Sequence, residues 1–121
     1  MLSRDNITAT GHGWVKYKGK IYQEDIIILA DGTAMRRNVD EVLRKYGTLK
    51  AIDMEEIGLL LGGNPEVIVV GTGQGDSLRI PAEVLDVLNR SNARIVQGVS
   101  PKAVRYFDQL TCGKAALIHV K

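Results

Sequence analysis

The stretch Pro65-Glu66-Val67-Ile68-Val69-Val70-Gly71-Thr72-Gly73 decides the fold. Val67 to Val70 are consecutive β-branched residues, which favour extended backbone. A strand with one wet face alternates apolar and polar residues. A run with no polar member predicts a strand covered on both faces, as in the middle of an α/β sheet. The residues downstream agree. Gly71 to Ser77 reads as a loop, and Pro81 opens a helix with Val84, Leu85, Val87 and Leu88 as its apolar stripe. Arg94-Ile95-Val96-Gln97 is the next strand. Ser100-Pro101 reads as a serine cap with proline at the first helical position, leading a helix that shows Ala103, Val104, Phe107 and Leu110. Lys114 to Val120 forms a last strand. This order predicts residues 67–70, 94–97 and 115–119 in one sheet, with the first two strands parallel.

Toward the N-terminus the pattern changes. Ile7 to Thr10, Trp14 to Tyr17 and Ile21-Tyr22 are short extended pieces separated by Gly11-His12-Gly13 and Lys18-Gly19-Lys20, which predicts an antiparallel meander. Asp25 to Leu29 is a strongly apolar strand. Asp31-Gly32 turns it toward Thr33 to Arg36. Val39, Val42 and Leu43 recur at helical spacing before Gly47. Asp53, with Glu56 three residues on, predicts a capping box for a helix carrying Ile57, Leu60 and Leu61, closed by Gly62-Gly63-Asn64-Pro65. The expected fold class is α/β: a single domain over residues 1–121, with a mixed central β-sheet, flanking helices and an N-terminal antiparallel β portion. The meander is too small to bury a core of its own and is expected to extend the central sheet.

Composition narrows the function classes. The chain has 121 residues, 45% hydrophobic and 25% charged, which excludes a disordered or collagen-like chain. The longest apolar runs are too short for a membrane helix. The net charge of +2 comes from 16 basic and 14 acidic residues spread through both halves, with no polybasic tail. Nucleic-acid binding is not expected from so balanced a chain. One cysteine, Cys112, excludes an intrachain disulfide and a four-cysteine zinc site. The start Met1-Leu2-Ser3-Arg4-Asp5-Asn6 lacks the apolar core of a secretory leader, so a cytoplasmic location is expected.

Three glycines after a buried strand invite comparison with phosphate-binding loops. The dinucleotide fingerprint needs glycine at its sixth position, where Asp76 stands, and a helix opening at once. The P-loop needs a lysine followed by serine or threonine, a pair that occurs nowhere in the chain. No nucleotide cofactor is expected. A smaller reading survives. The carboxyl ends of two parallel strands face one edge, where open α/β sheets bind ligands. Backbone amides of Gly71, Thr72 and Gly73 could form a small anion nest there, and the Ser100 helix start, Lys102 and Arg105 would add donors and positive charge. Asp76 and Asp108 would oppose it. His12, His119 and Cys112 follow no metal-ligand spacing, and no metal is expected. Trp14, Tyr17 and Tyr22 alternate with Lys16, Lys18 and Lys20, an interleaving that also suits single-stranded nucleic acid.

The stretch from Pro65 to Gly73 resembles the core motif of the complex I assembly factor three family, which also contains the adipogenesis-associated protein. Ser100-Pro101-Lys102-Ala103-Val104-Arg105-Tyr106-Phe107-Asp108-Gln109-Leu110 resembles its second motif, and Ala115-Ala116-Leu117-Ile118-His119 its closing strand. Ile7, Gly13, Tyr22, the strand from Asp25 and Asp31-Gly32 fall in the same order, so the resemblance spans nearly the whole chain. It implies one α/β domain with a mixed sheet and a polar pocket near Gly71-Thr72-Gly73. It implies no established reaction. Two positions depart from the family pattern: Ser100 stands where threonine is common and keeps the hydroxyl, and Asp108 replaces a neutral asparagine with an acid.

The leading expectation is a non-catalytic scaffold or assembly-type protein that binds another protein, with weak small-anion binding at the pocket. Such a protein would leave an apolar or aromatic patch exposed. The second is an enzyme acting on a small anionic substrate near Gly71-Thr72-Gly73 and Ser100, which calls for converging titratable groups in a concave pocket. A single-stranded nucleic-acid module comes third and calls for a continuous basic stripe.

Overall fold

The computed structural model describes residues 7–48 and 50–121. The Met1 to Asn6 start, read above for a leader, lies outside them. The chain order is β1 (Ile7–Gly11), β2 (Trp14–Tyr17), β3 (Lys20–Tyr22), β4 (Ile26–Ile28), β5 (Ala34–Arg36), α1 (Val39–Tyr46), α2 (Met54–Leu61), β6 (Val67–Thr72), α3 (Ala82–Arg90), β7 (Arg94–Gly98), α4 (Ser100–Gln109) and β8 (Lys114–His119). Five strands form a mixed sheet in the order β5-β4-β8-β6-β7. β6 is parallel to both β7 and β8, and β4 runs antiparallel to β5 and β8. This is a small α/β domain of the expected class, with β6 and β7 parallel as the buried run predicts.

Each face of that sheet carries its own core. Ile26, Ile28, Val67, Val69, Ala116 and Ile118 point to one side, where Ala103, Val104 and Phe107 of α4 and Val15 and Tyr17 of β2 cover them. Ile27, Ile68, Val70, Ala115 and Leu117 point to the other, beneath Ile57 and Leu60 of α2 and Val84 and Leu88 of α3. The two-residue strand period sends neighbours to opposite faces. An apolar run is therefore what a strand between two layers needs, and all of β6 is buried.

Two expectations are corrected. The N-terminal meander does not extend the central sheet. β1, β2 and β3 make a separate three-stranded sheet, joined to the larger one by the Gly13 amide donating to the Val120 carbonyl at 2.6 Å and by Tyr17 Oη donating to the Gly32 carbonyl at 3.0 Å. With Val15 and Tyr17 turned inward, it acts as a lid over one core instead of an added edge. The second correction concerns α4. Val99, not Ser100, is the residue flanking the helix, and Ser100 and Pro101 occupy its first two positions. The Ser100 hydroxyl is drawn away from capping by partners across the sheet, described below. The Asp53–Glu56 capping box of α2 is present in both directions.

Candidate functional site

The carboxyl ends of β6, β7 and β8 share one edge. Gly71, Thr72, Gly73 and Ser100 meet there. The Gly73 amide donates to Ser100 Oγ at 2.9 Å, and the Ser100 amide donates back to the Gly73 carbonyl at 3.0 Å. Ser100 Oγ donates in turn to the His119 backbone carbonyl at 2.5 Å. Glycine is required for this closeness. A Cβ on Gly71 would stand 2.7 Å from Ser100 Oγ, and one on Gly73, whose φ is +102°, would stand 2.6 Å from His119 Cδ2. These glycines bring the loop onto α4; they do not splay it open as a nest.

The amides at the start of α4 are committed as well. The Ser100 amide goes to Gly73, Pro101 has none, and the Lys102 and Ala103 amides both reach the Val99 carbonyl. The orphan donors that make a helix start an anion site are thus spent inside the protein. What remains open is a depression of about 480 Å³ whose lining includes Thr72, Asp76, Arg79, Gln97 and Lys102. Thr72 Oγ1 donates to Asp76 Oδ1 at 2.6 Å, and Asp76 holds a left-handed φ of 55°. Arg79 Nη1 donates to the Asp76 carbonyl at 2.6 Å. Of the residues that the sequence groups here, Thr72, Asp76 and Lys102 line the depression, while Gly71, Gly73 and Ser100 lie behind it. Arg105 is exposed a turn further along α4 and outside the lining. Asp108 lies apart, near Lys114, where burial pushes the ammonium's pKa down and Asp108 partly restores it.

Behind the same edge lies a buried ionic network that the sequence reading did not anticipate. Arg37, in the connection from β5 to α1, holds Glu56 with two bonds, Nε to Oε2 at 2.6 Å and Nη2 to Oε1 at 2.7 Å. Its Nη1 donates to Asp25 Oδ2 at 2.9 Å, and Nη2 also meets the Ala51 carbonyl. The same Asp25 oxygen lies 2.7 Å from His119 Nδ1, and Oδ1 accepts from the Val120 amide at 2.8 Å. Burial alone would raise the Asp25 carboxyl. The hydrogen bonds from His119, Val120 and Arg37 outweigh it, holding the carboxyl below its ordinary value. Ionised Asp25 offers only acceptors, so His119 Nδ1 is the protonated nitrogen.

Asp25, His119 and Ser100 have the residue types of a hydrolase triad but not its wiring. The serine hydroxyl donates to the histidine's backbone oxygen instead of its ring, so no base draws off its proton. The signal for this cluster was a sequence one: Asp25 precedes an all-isoleucine strand, and His119 follows the apolar run Ala115 to Ile118. Each is a polar residue at the lip of a core.

This two-sheet α/β arrangement is the fold of the small Mth938-like domains. A Bordetella pertussis protein described as a Mth938-like domain shares the fold with a TM-score of 0.60 at 18% identity, over 96% of this chain and 85% of its own. A conserved hypothetical protein from Pyrococcus horikoshii OT3 is more similar: TM-score 0.87 and 27% identity over 96% of this chain and 98% of that one. A structure named MT938 matches with a TM-score of 0.79 and 28% identity over 96% and 97%. The model of a family described as a protein of unknown function, DUF498/DUF598, matches residues 7–117, and the chain belongs to that family. None of the curated proteins matches the chain. Among the described residues, no helix is long and apolar enough to cross a membrane.

Proposed function

We propose that this protein works as a non-catalytic, assembly-type protein that binds another protein. The observation that carries this reading is the use of Ser100. Its hydroxyl and amide close the Gly73 loop onto α4, so this serine is not an activated nucleophile at the edge where an α/β sheet normally does its chemistry. The resemblance of the Pro65–Gly73 and Ser100–Leu110 motifs to an assembly-factor family accords with it. A small anion would meet the chain only weakly, at Lys102 and Arg79 in the open depression, with Asp76 opposing it.

The test is photo-crosslinking of the full chain in cells that naturally make it, with the reactive residue placed in turn at Ile21, Leu43 and Lys102. One discrete adduct with a second protein is expected. A chain that forms no adduct from any of the three positions overturns the reading.

A further inference from the structure

We infer that the free edge of β7 takes up an extended acidic segment of the partner protein as an added strand. The inference rests on the partner-binding reading above and names where, and by what chemistry, the partner is held.

β7 ends the strand order β5-β4-β8-β6-β7, with β6 on one side and no described strand on the other. The register fixes which backbone groups face outward. The Arg94 amide donates to the Glu66 carbonyl, just ahead of β6, at 2.8 Å, so Arg94 turns its peptide groups toward β6. Alternate residues of a strand turn theirs the same way. Val96 and Gly98 are thereby committed to β6, and Ile95 and Gln97 face outward. Each of these two offers an N–H and a C=O along the open edge, the template that strand addition uses.

Little guards this edge. Neither a proline nor a register shift interrupts β7, and its one charged residue, Arg94, stands at the first position. The opposite edge strand, β5, has three residues against five. The side chains of β7 are unfinished as well. Val96 packs partly against the core beneath α4 and Ile95 partly against the core beneath α3, and both stay half-buried. A strand laid beside them extends both cores.

Charge selects the occupant. Arg94 pairs with Val67 and Val96 with Val69, and both of those valines face α4. Arg94 therefore stands exposed on the α4 side of the sheet. At the other end of β7, Lys102 of α4 lines the open depression together with Gln97 and Gly98. Neither cation has an ion-pair partner among the described residues. Arg79 and Asp76, in the same lining, lie 3.8 Å apart and offset each other. The edge thus carries an unopposed cation at each end, which is complementary to a segment with acids spaced along it. A second copy of the chain fits worse. Antiparallel pairing of two β7 strands about Val96 sets Arg94 of each opposite Gly98 of the other, next to its Lys102, and brings like charges together. Single-stranded nucleic acid would meet the cations but has no peptide groups for Ile95 and Gln97.

Hydrogen exchange of the full chain, followed by NMR, reads the two outward amides directly. The probe is a short synthetic peptide alternating glutamate with valine. The other arms are the same peptide with lysine for glutamate, the acidic peptide N-methylated at every residue, and an oligo-dT strand. Exchange at Ile95 and Gln97 should slow with the plain acidic peptide alone, and salt should weaken the effect. Gln97→Pro removes an outward donor at a place where an edge strand tolerates proline. It should weaken binding by about fivefold, the worth of one hydrogen bond. Arg94→Glu should abolish the preference for the acidic peptide over the lysine one. Circular dichroism checks that both variants fold; should Gln97→Pro fail to, the methylated peptide carries the same test. Equal binding of the lysine or the methylated peptide, unchanged exchange at Ile95 and Gln97, stronger binding of the oligonucleotide, or a peptide-free dimer that already protects both amides overturns the inference. A partner crosslinked at Ile21 or Leu43 but not at Lys102 places the dock elsewhere, and the partner-binding reading stands without this edge. No partner from any position, with the peptide still held at β7, sinks that reading and leaves the preference of the edge intact.

Discussion

Gly73 and Ser100 hold each other by two reciprocal hydrogen bonds, 2.9 Å from the Gly73 amide to Ser100 Oγ and 3.0 Å from the Ser100 amide to the Gly73 carbonyl. The pair fastens the end of β6 to the start of α4. Ser100 is fully buried, and its Oγ also satisfies the His119 carbonyl. Ser100→Ala should therefore strand a buried amide and a carbonyl together. A loss of about 1–3 kcal/mol is expected from the urea midpoint. A midpoint equal to the parent's would mean that the loop and helix do not depend on this contact.

The same closeness makes the glycines intolerant of side chains. Gly71→Ala would press on Ser100 Oγ, the Ser100 Cα and Ile118 at once, and overpacking of this kind costs about 1–3 kcal/mol. Gly73→Ala adds a backbone at φ +102° that an L side chain rarely adopts and sets its Cβ 3.0 Å from the Lys121 backbone. Thermal melts should rank the parent above Gly71→Ala and Gly71→Ala above Gly73→Ala. Gly75→Ala, with open space around its Cβ, should melt with the parent.

Val69 and Phe107 meet in the core beneath α4, both nearly inaccessible. Val69→Ala and Phe107→Ala should each cost roughly 2–4 kcal/mol, with the ring the more expensive to remove. Denaturant curves measure both. Unchanged midpoints would contradict the packing of α4 on β6.

The depression at Thr72 makes a narrower prediction. Lys102 lines it and Arg105 does not. NMR shifts with inorganic phosphate at matched ionic strength should thus be small, centre on Lys102 and Arg79, and fade in Lys102→Ala while persisting in Arg105→Ala. Shifts that vanish in Arg105→Ala instead would move the anion contact out along α4.

Residues whose environment is set by near neighbours were readable in the sequence. Val67 to Val70 announced a strand buried on both sides, Asp53 and Glu56 announced their reciprocal cap, and the parallel pairing of β6 with β7 followed from the helix between them. Where the outcome depends on distant partners, local pattern fell short. Arg36 and Arg37 look alike in sequence. One is exposed beside Glu24, and the other is buried between Asp25 and Glu56, because strand alternation sends them opposite ways. Ser100 carried a correct signal of hydrogen bonding, but its partners lie 27 and 19 residues away and draw it off the cap. Arg105 was grouped with the pocket by chain proximity, yet the depression stops at Lys102.

The buried network should govern the acid limit of stability. Asp25 is held below its unfolded value of 3.8 by His119, Val120 and Arg37. A carboxyl depressed in the folded state contributes its full stabilisation above the unfolded pKa. It loses that contribution as pH falls through the folded one, because the unfolded chain then binds the proton first. The parent should accordingly lose stability as pH drops below about 4. Asp25→Asn should be less stable than the parent near neutrality, since the amide cannot match an ionised partner for Arg37, yet its stability should fall less steeply on the acid side. Arg37→Ala is the harsher change. It leaves Asp25 and Glu56 facing each other in the interior without their cation, and removing one member of a buried ion pair costs about 3–5 kcal/mol. Asp25 would then lose one of the bonds that hold its carboxyl low, so this variant should gain on the parent as pH is lowered. Urea midpoints for the three proteins from neutral to acid pH test this directly. Parallel curves for the parent and Asp25→Asn would show that the Asp25 carboxyl does not couple folding to protons.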